Sequence, residues 1–377
     1  MATTEDVDEG REAEPDDDSA SLTRAIRRAA PHVPAALAAL ALVHPAARAG
    51  ARLAWWMDLF THFYVAAFWA SAAAVVGLAL RRRPALALAF AALAGFQAVP
   101  LLRYAGPSPV PPAPPPAARL RVLMANLHVE NDHYAAIAAL IRRERPDVVG
   151  FVEVLPHLLA GLESTGVDRE YPYRYILPVG AQGQALWFRR RPEAVDEPAI
   201  LVPDGNPAFR ATVLLDGLPV RLWLVHPPNP IGPGHRRADP DLKALGLAVG
   251  AEDGPRLVVG DLNRTEGSPH FADFLADSGL RDSRLGFGRQ PSWPAGSPYR
   301  IAIDHAFLSA GLAVVDRRLG PSIGSDHLPL ILDFAASATA PPAPVPTSPT
   351  KSEAQPSRSS GGPAPSAENL ARSAARR

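Results

Sequence analysis

The sequence lacks cysteine and has almost no lysine. With no cysteine among 377 residues, disulfides, thiolate metal sites, iron–sulfur clusters and cysteine nucleophiles are excluded. Lysine occurs only as Lys243 and Lys351, and neither follows the glycines of a Walker A loop, so a P-loop nucleotide site is excluded as well. The 38 basic and 38 acidic residues cancel, so no overall charge directs the protein towards nucleic acid.

Long apolar runs, by contrast, are present near the N-terminus. Residues 63–80 and 84–102 carry no charge and approach the ~20 residues that a membrane-crossing helix needs. Residues 33–43 are a shorter third candidate, so residues 29–104 are predicted to form a transmembrane region of two or three helices. Trp55 and Trp56 resemble part of an interfacial aromatic belt. A buried helical hairpin of a soluble domain is the alternative.

Three arginines, Arg81–Arg83, stand between the two strong apolar runs. Because positive charge stays in the cytoplasm, the hairpin should turn inside the cell, and everything after Leu102 should emerge on the other face. The sequence therefore predicts a multi-pass cell-membrane protein with its main domain outside the cytoplasm. Membrane lipid is the expected partner of the helices, and no protein partner is predicted.

Proline is abundant, at 42 residues, and it should collect outside helices and strands. Residues 105–118 include seven prolines and are predicted to be a stiff spacer that holds the next domain off the membrane. The acidic residues 1–28 and the Pro/Ala/Ser-rich residues 336–377 lack apolar periodicity, so both are predicted to be disordered tails.

Residues 119–335 carry a mixed pattern of short apolar runs and helical spacing. Helices are predicted around 134–141 and 271–278, and no regular βαβ repeat is visible. The predicted strands are 120–125, 148–152, 220–225, 257–259, 301–307 and 328–334. We therefore predict an α/β fold, a four-layered sandwich of two packed β-sheets flanked by helices.

Polar residues follow or interrupt these apolar runs, and all are carboxylates, amides or imidazoles. Strand ends of such sheets open onto one rim, where ligand sites collect. Oxygen ligands suit Mg²⁺, whereas the close histidine spacing of a zinc site is missing. A buried Asp304 needs a partner, and an Asp304–His327 pair would fix the imidazole tautomer. The set is Asn126, Glu153, His226, Asp261, Asn263, Asp304, Asp326 and His327.

In this order, and with the Gly260-Asp-Leu-Asn263 and Ser325-Asp-His327 motifs, these residues resemble the endonuclease/exonuclease/phosphatase superfamily. That is the fold of deoxyribonuclease I, inositol polyphosphate 5-phosphatases and neutral sphingomyelinases. The resemblance covers 119–335, and the preceding helices are similar to those of bacterial membrane-anchored members. One departure is visible, because Val152 stands where the family commonly has glutamine before the metal glutamate.

The resemblance implies a Mg²⁺ cofactor, with Mn²⁺ as an alternative. It implies that Asn126, Glu153 and Asp326 form the metal site. It implies catalytic roles for His226, Asp261, Asn263, Asp304 and His327, and substrate contacts for His226, Asn263 and Trp293. Of the other histidines, His128 is expected to be a loop residue without a partner, and His305 to be structural.

The predicted function is that of a metal-dependent phosphodiester hydrolase, nuclease-like and anchored in the membrane. The substrate stays open between nucleic acid, a phospholipid head group and a phosphorylated sugar. Acidic residues slightly outnumber basic ones in 119–335, unlike a domain that grips duplex, although Arg189–Arg191 and Arg236–Arg237 offer local basic sites. A phosphomonoesterase or phospholipid head-group hydrolase on the same fold, or a non-catalytic binding module, are the alternatives.

Overall fold

The computed structural model describes residues 33–108 and 118–337. The predicted acidic tail at 1–28, most of the predicted proline-rich spacer and nearly all of the predicted C-terminal tail lie outside these residues.

Within the described residues, four helices precede the main domain. Pro84 opens the fourth helix, at a position where the missing N–H of proline costs nothing. The third and fourth helices pack along each other and are joined by the turn at Arg81–Arg83. The helices are α1 (Val33–Gly50), α2 (Trp55–Thr61), α3 (Tyr64–Leu80) and α4 (Pro84–Ala105).

These helices bury polar side chains and expose apolar ones. The Ser71 hydroxyl donates to Gln97 Oε1 at 2.6 Å, and Gln97 Nε2 donates to the Ala41 carbonyl at 2.8 Å, with both side chains buried. Trp69 and Leu88 are exposed. Polar groups bonded inside a helical bundle, with large apolar groups outside, are typical of helices that face lipid.

The number of candidate spans is smaller than the sequence suggested. Within residues 33–108 and 118–337, only α4 is by itself long and apolar enough to cross a membrane. Helices α2 and α3 reach that length only as a pair bent by 62°, and the apolar part of α1, Ala36–Gly50, is shorter. The multi-pass arrangement is therefore not supported, because the helix over the predicted span 63–80 has only 17 residues and a bend at residues 62–63 separates it from α2.

The main domain contains two β-sheets and four longer helices. The helices are α5 (Tyr134–Glu144), α6 (Pro156–Ser164), α7 (His235–Gly250) and α8 (Pro269–Ser278). The strands are β1 (Arg119–Asn126), β2 (Val148–Val152), β3 (Tyr173–Leu177), β4 (Gln184–Phe188), β5 (Ala194–Val195), β6 (Ala199–Ile200), β7 (Pro207–Leu215), β8 (Leu218–Val225), β9 (Arg256–Asp261), β10 (Arg281–Asp282), β11 (Asp304–Leu308), β12 (Leu312–Leu319) and β13 (Leu330–Ala336).

Both sheets are mixed. The first has the strand order β12-β13-β1-β2-β4-β3, and the second has the order β10-β11-β9-β8-β7-β5, with β6 paired to β7. Strands β1 and β2 are parallel, as are β8 and β9, and the other paired neighbours are antiparallel.

Three apolar clusters define four layers. The central cluster fills the space between the sheets and includes Met124 and Leu224. A second cluster joins the first sheet to α5 and α6, and a third joins the second sheet to α7 and α8. The predicted α/β architecture of two packed sheets with helices outside is confirmed.

The helical region lies directly against the domain. Arg264 Nε lies 2.9 Å from Asp58 Oδ2, and the Tyr104 hydroxyl donates to Asp282 Oδ2 at 2.9 Å. The predicted spacer therefore does not separate the domain from the helices. Because α3 begins and α4 ends at these contacts, the turn at Arg81–Arg83 lies at the opposite end of the helical hairpin.

Candidate active site

The predicted site residues come together at one edge of the two sheets. Asp304 at the start of β11 pairs in antiparallel register with Asp261 at the end of β9. The others lie at neighbouring strand ends: Asn126 ends β1, Glu153 follows β2, His226 follows β8, Asn263 follows β9, and Asp326 and His327 precede β13. The topology thus gathers residues that are up to 201 positions apart in the chain, from Asn126 to His327.

Unusual backbone conformations shape this edge. Glu153 and Asn263 adopt left-handed φ values of 58° and 53°, which non-glycine residues seldom do outside functional or tightly held positions. Gly260 has φ 158°, and a Cβ there would lie 1.9 Å from the Val225 carbonyl oxygen. Only glycine therefore lets β9 pass β8 closely enough to deliver Asp261 to the rim.

Asp261 lies at the centre of the site and is buried. Its Oδ1 accepts the Asn263 backbone N–H at 2.8 Å, and its Oδ2 accepts the Asn126 amide at 3.2 Å. Burial, together with the negative charge of Asp304, raises the pKa of Asp261 to about 6. This carboxyl is therefore much more basic than an exposed aspartate.

Asp304 and His327 form the acid–imidazole pair that the sequence suggested. Asp304 Oδ2 lies 2.8 Å from His327 Nδ1, and His327 Nε2 lies 3.8 Å from Asp261 Oδ2. Burial opposes the charged imidazole, but the two carboxylates outweigh it and raise the pKa of His327 to about 10. Asp304 thus fixes the orientation of a cationic ring that presents Nε2 to the cavity.

His226 and Asn263 also lie beside Asp261. His226 Nε2 is 3.9 Å from both Glu153 Oε1 and Asp261 Oδ2. The Asn263 amide donates to the carbonyl of Pro227 at 3.1 Å, in the loop that follows His226. The family resemblance implies that the Asn263 side chain contacts the substrate. In this structure the same side chain holds the loop that follows His226.

His128 is the site residue that sequence reasoning missed. It lies in a loop as expected, but its Nδ1 lies 3.6 Å from Asp326 Oδ1 and 4.0 Å from Glu153 Oε2, so the expectation that it has no partner is wrong. The available signal was its position two residues after Asn126, whose Oδ1 accepts the His128 N–H at 3.0 Å. Asp326 Oδ2 also accepts the Trp293 indole N–H at 2.8 Å.

One cavity of about 630 Å³ opens over these residues. Asn126 and Asp304 lie beneath its surface as supports, whereas three residues of the helical region, Leu59, His62 and Phe63, form part of its wall. The predicted site residues among its lining are Glu153, His226, Asp261, Asn263, Trp293, Asp326 and His327.

The donor set fits a divalent cation. Glu153 and Asp326 present partly exposed carboxylates beside His128, and the carboxylates of Asp261 and Asp304 lie within 4.8 Å of each other in the cluster that includes His327. In the described ranges, no arginine or lysine side chain forms an ion pair with any of these four carboxylates. Carboxylate oxygens short of positive charge suit Mg²⁺. Asn126 instead donates to Glu153 Oε1 at 2.8 Å and positions that carboxylate.

Comparison with known proteins gives the family. The model of the Endonuclease/Exonuclease/phosphatase family matches residues 125–327, which is just over half of the chain and includes every predicted site residue. The chain belongs to this family. No curated protein matches the sequence. Membership in the endonuclease/exonuclease/phosphatase family agrees with the resemblance drawn from the strand-end motifs.

Solved structures of similar fold come from several organisms. A structure of D. rerio TDP2 complexed with single strand DNA product is 17% identical, with TM-score 0.47, and the match covers 57% of this chain and 98% of that one. An endonuclease/exonuclease/phosphatase from Bacteroides vulgatus is 16% identical, with TM-score 0.48 and coverage of 58% and 99%. One from Beutenbergia cavernae is 21% identical, with TM-score 0.44 and coverage of 58% and 72%.

Proposed function

We propose that the protein is a divalent-metal-dependent phosphodiester hydrolase, anchored in the cell membrane with its domain outside the cytoplasm. The observation that carries the proposal is the buried cluster of Asp261, Asp304 and His327, which faces Glu153 across one cavity in a member of the endonuclease/exonuclease/phosphatase family.

Hydrolysis at phosphorus requires a placed water and compensation of the charge on the phosphoryl oxygens. Asp261, whose pKa is raised to about 6, accepts a proton from the attacking water. His327, kept cationic by Asp304, donates from Nε2 to a phosphoryl oxygen. Glu153 and Asp326 would hold the cation, which would neutralise further charge on the phosphoryl oxygens.

The membrane anchor is supported by the helical region. Its helices bury Ser71 and Gln97 and expose apolar side chains, and α4 is long enough to cross a bilayer. The turn at Arg81–Arg83 lies at the end of the hairpin away from the domain. Placing these arginines in the cytoplasm therefore places the domain on the other face.

The proposal is tested with the full chain in detergent, bis-p-nitrophenyl phosphate as diester and p-nitrophenyl phosphate as monoester. We expect diester hydrolysis that needs Mg²⁺ or Mn²⁺, stops with EDTA and resumes with added metal. Glu153→Gln should lower kcat/KM at least about 100-fold. Glu163→Gln, at a surface pair with Arg174, is the matched control and should retain activity.

Three results would contradict the proposal. Turnover that is unaffected by EDTA would remove the metal from the reaction. A folded chain that hydrolyses neither ester would favour the non-catalytic binding module. Faster hydrolysis of the monoester than of the diester would replace the diesterase by a phosphomonoesterase.

A further inference from the structure

The helical region contributes one wall of the candidate active site. Leu59, His62 and Phe63 line the same cavity as Glu153 and Asp261. They belong to α2 and to the break between α2 and α3, at the end of the hairpin that meets the domain. A substrate in this cavity therefore contacts both the carboxylates of the domain and the segment that leads into the apolar helices.

Buried polar contacts fix this wall to the catalytic loop. Asp58 Oδ1 accepts the Ser268 hydroxyl at 2.7 Å, and Asp58 Oδ2 lies 2.9 Å from Arg264 Nε. His62 Nδ1 lies 2.9 Å from Thr265 Oγ1. Arg264 and Thr265 directly follow Asn263, so the wall and the loop form one rigid unit.

The wall is apolar and open towards the helices. Phe63 is 55% exposed and Leu59 is half-buried, although both line a cavity that also contains three carboxylates and four imidazoles. Trp56 and Phe60, on the same helix α2, are exposed as well. Exposed aromatic residues at the end of apolar helices are typical of the level of lipid head groups.

Basic groups suited to a nucleic-acid backbone are scarce around the cavity. Among the lining residues in the described ranges, Arg237 is the only arginine or lysine. The run at Arg189–Arg191 follows β4, which is antiparallel to β2, with Val148 opposite Phe188. This run therefore lies at the edge of the first sheet away from Glu153. A polyanion would lack the phosphate contacts that dominate its binding.

We propose that the substrate is a membrane amphiphile: a phosphodiester whose alkyl chain lies along Leu59 and Phe63 while its phosphate reaches Glu153 and Asp261. This inference rests on the proposed function and names its substrate class. In the reaction the water oxygen forms the new bond to phosphorus, the bond to the leaving oxygen breaks, and the proton removed from water is balanced by one taken up by the leaving group. The products are a phosphomonoester and an alcohol.

Two reporters that differ only in chain length provide the test: ethyl and hexadecyl p-nitrophenyl phosphate, hydrolysed by the full chain in detergent with Mg²⁺. We expect kcat/KM to be at least about 100-fold higher for the hexadecyl ester. Phe63→Ser should lower kcat/KM for that ester at least 10-fold, mostly through KM, and change the ethyl ester less than twofold. Phe63→Leu should restore the preference for the hexadecyl ester over the ethyl ester.

Phe60→Ser is the matched control, because Phe60 is 46% exposed on the same segment but does not line the cavity. Phe60→Ser should leave the ratio of kcat/KM between the hexadecyl and ethyl esters unchanged. Thermal unfolding should be the same for all variants.

Equal kcat/KM for the two esters, or an equal loss in Phe60→Ser and Phe63→Ser, would overturn the amphiphile proposal. A preference for thymidine p-nitrophenyl phosphate over both would replace it with a nucleic-acid substrate. Metal-dependent turnover of the ethyl ester tests the proposed function separately, and turnover of none of the esters would overturn both proposals.

Discussion

Two buried polar clusters of this protein compensate the negative charge of their carboxylates in different ways. One is the helix–domain interface, built around Arg284, Glu266 and Asp282, and the other is the candidate active site around Asp261. Both remove carboxylates from water, which is costly unless the charge is compensated. They differ in where the compensating charge comes from.

The helix–domain interface is neutralised from within the chain. The Arg284 side chain is 0% exposed, and its Nη2 lies 2.6 Å from Asp282 Oδ2 and its Nη1 2.9 Å from Glu266 Oε2. Its guanidinium also lies 4.4 Å from the centre of the Tyr104 ring. Burial would raise the pKa of both acids, but Arg284 outweighs it and holds them well below their usual range.

The active site has no such arginine. The basic neighbours of Asp261 are histidines, and the pKa of Asp261 is raised to about 6 rather than lowered. The carboxylates of the helix–domain interface are therefore neutralised within the chain. Those of the active site lack positive charge, which a metal ion can provide. Substitutions that remove one charge should therefore have opposite effects on stability in the two clusters.

The largest effect is expected at the site. Asp261→Asn removes the proposed base and should lower kcat by about 10²–10⁴-fold. Because burial disfavours the lost charge, the metal-free variant should be at least as stable as the wild type. Reporter hydrolysis and urea unfolding of the same preparations test both parts. A variant that keeps its activity, or that unfolds much more easily, would break the contrast with the interface.

At the helix–domain interface, removing one charge should instead destabilise the fold. Arg284→Met leaves Asp282 and Glu266 buried without their cation and should lower the free energy of unfolding by about 3–5 kcal/mol. Urea unfolding of the full chain in detergent measures this change. An equal destabilisation by Asp261→Asn would show that the two clusters do not differ as we infer.

Much of the fold could be predicted from the sequence because its signals are local. The apolar runs that became β1, β2, β8 and β9 each end at a polar residue of the site, and Pro146 correctly separates α5 from β2. Strand β3 could not be found in this way, because three of its five residues are exposed. Helix α7 was missed as well, since it follows a Gly-Pro-Gly turn and contains Pro240.

The rest could not be predicted because it depends on pairs distant in the chain. Asp58 and Ser268 are 210 residues apart, and no local pattern links the apolar N-terminal region to the loop after Asn263. The same holds for His128, whose neighbour Asp326 comes from the other end of the domain. The motifs around Asp304 and His327 did indicate a pair, because a buried acid needs a partner and few candidates were present.

A third buried acid extends the comparison to the pH dependence of stability. Asp241 on α7 has no arginine bonded to it, its Oδ2 accepts only the Asn206 N–H at 3.4 Å, and burial raises its pKa to about 6 from 3.8. A raised pKa stabilises the fold below pH 4, and this contribution is lost as the pH rises through 6. Asp241→Asn should therefore be more stable than the wild type by about 1–2 kcal/mol at pH 8 and equal to it at pH 4. Urea unfolding at both pH values measures this, and a difference independent of pH would contradict it.

The smallest effect is expected where an ion pair of the helix–domain interface is exposed. Arg52 Nη2 lies 2.7 Å from Asp273 Oδ1, but the side chains are 56% and 39% exposed, so water compensates both charges when the pair is broken. Arg52→Met should therefore cost no more than about 1 kcal/mol, and less at high salt. Arg52 links the same two regions as Arg284, and both substitutions remove one positive charge. Comparing the two variants therefore separates the effect of burying the arginine from the effect of linking the helices to the domain. If Arg52→Met destabilised the chain as much as Arg284→Met, the number of links between helices and domain would determine stability, and the buried arginine would have no special role.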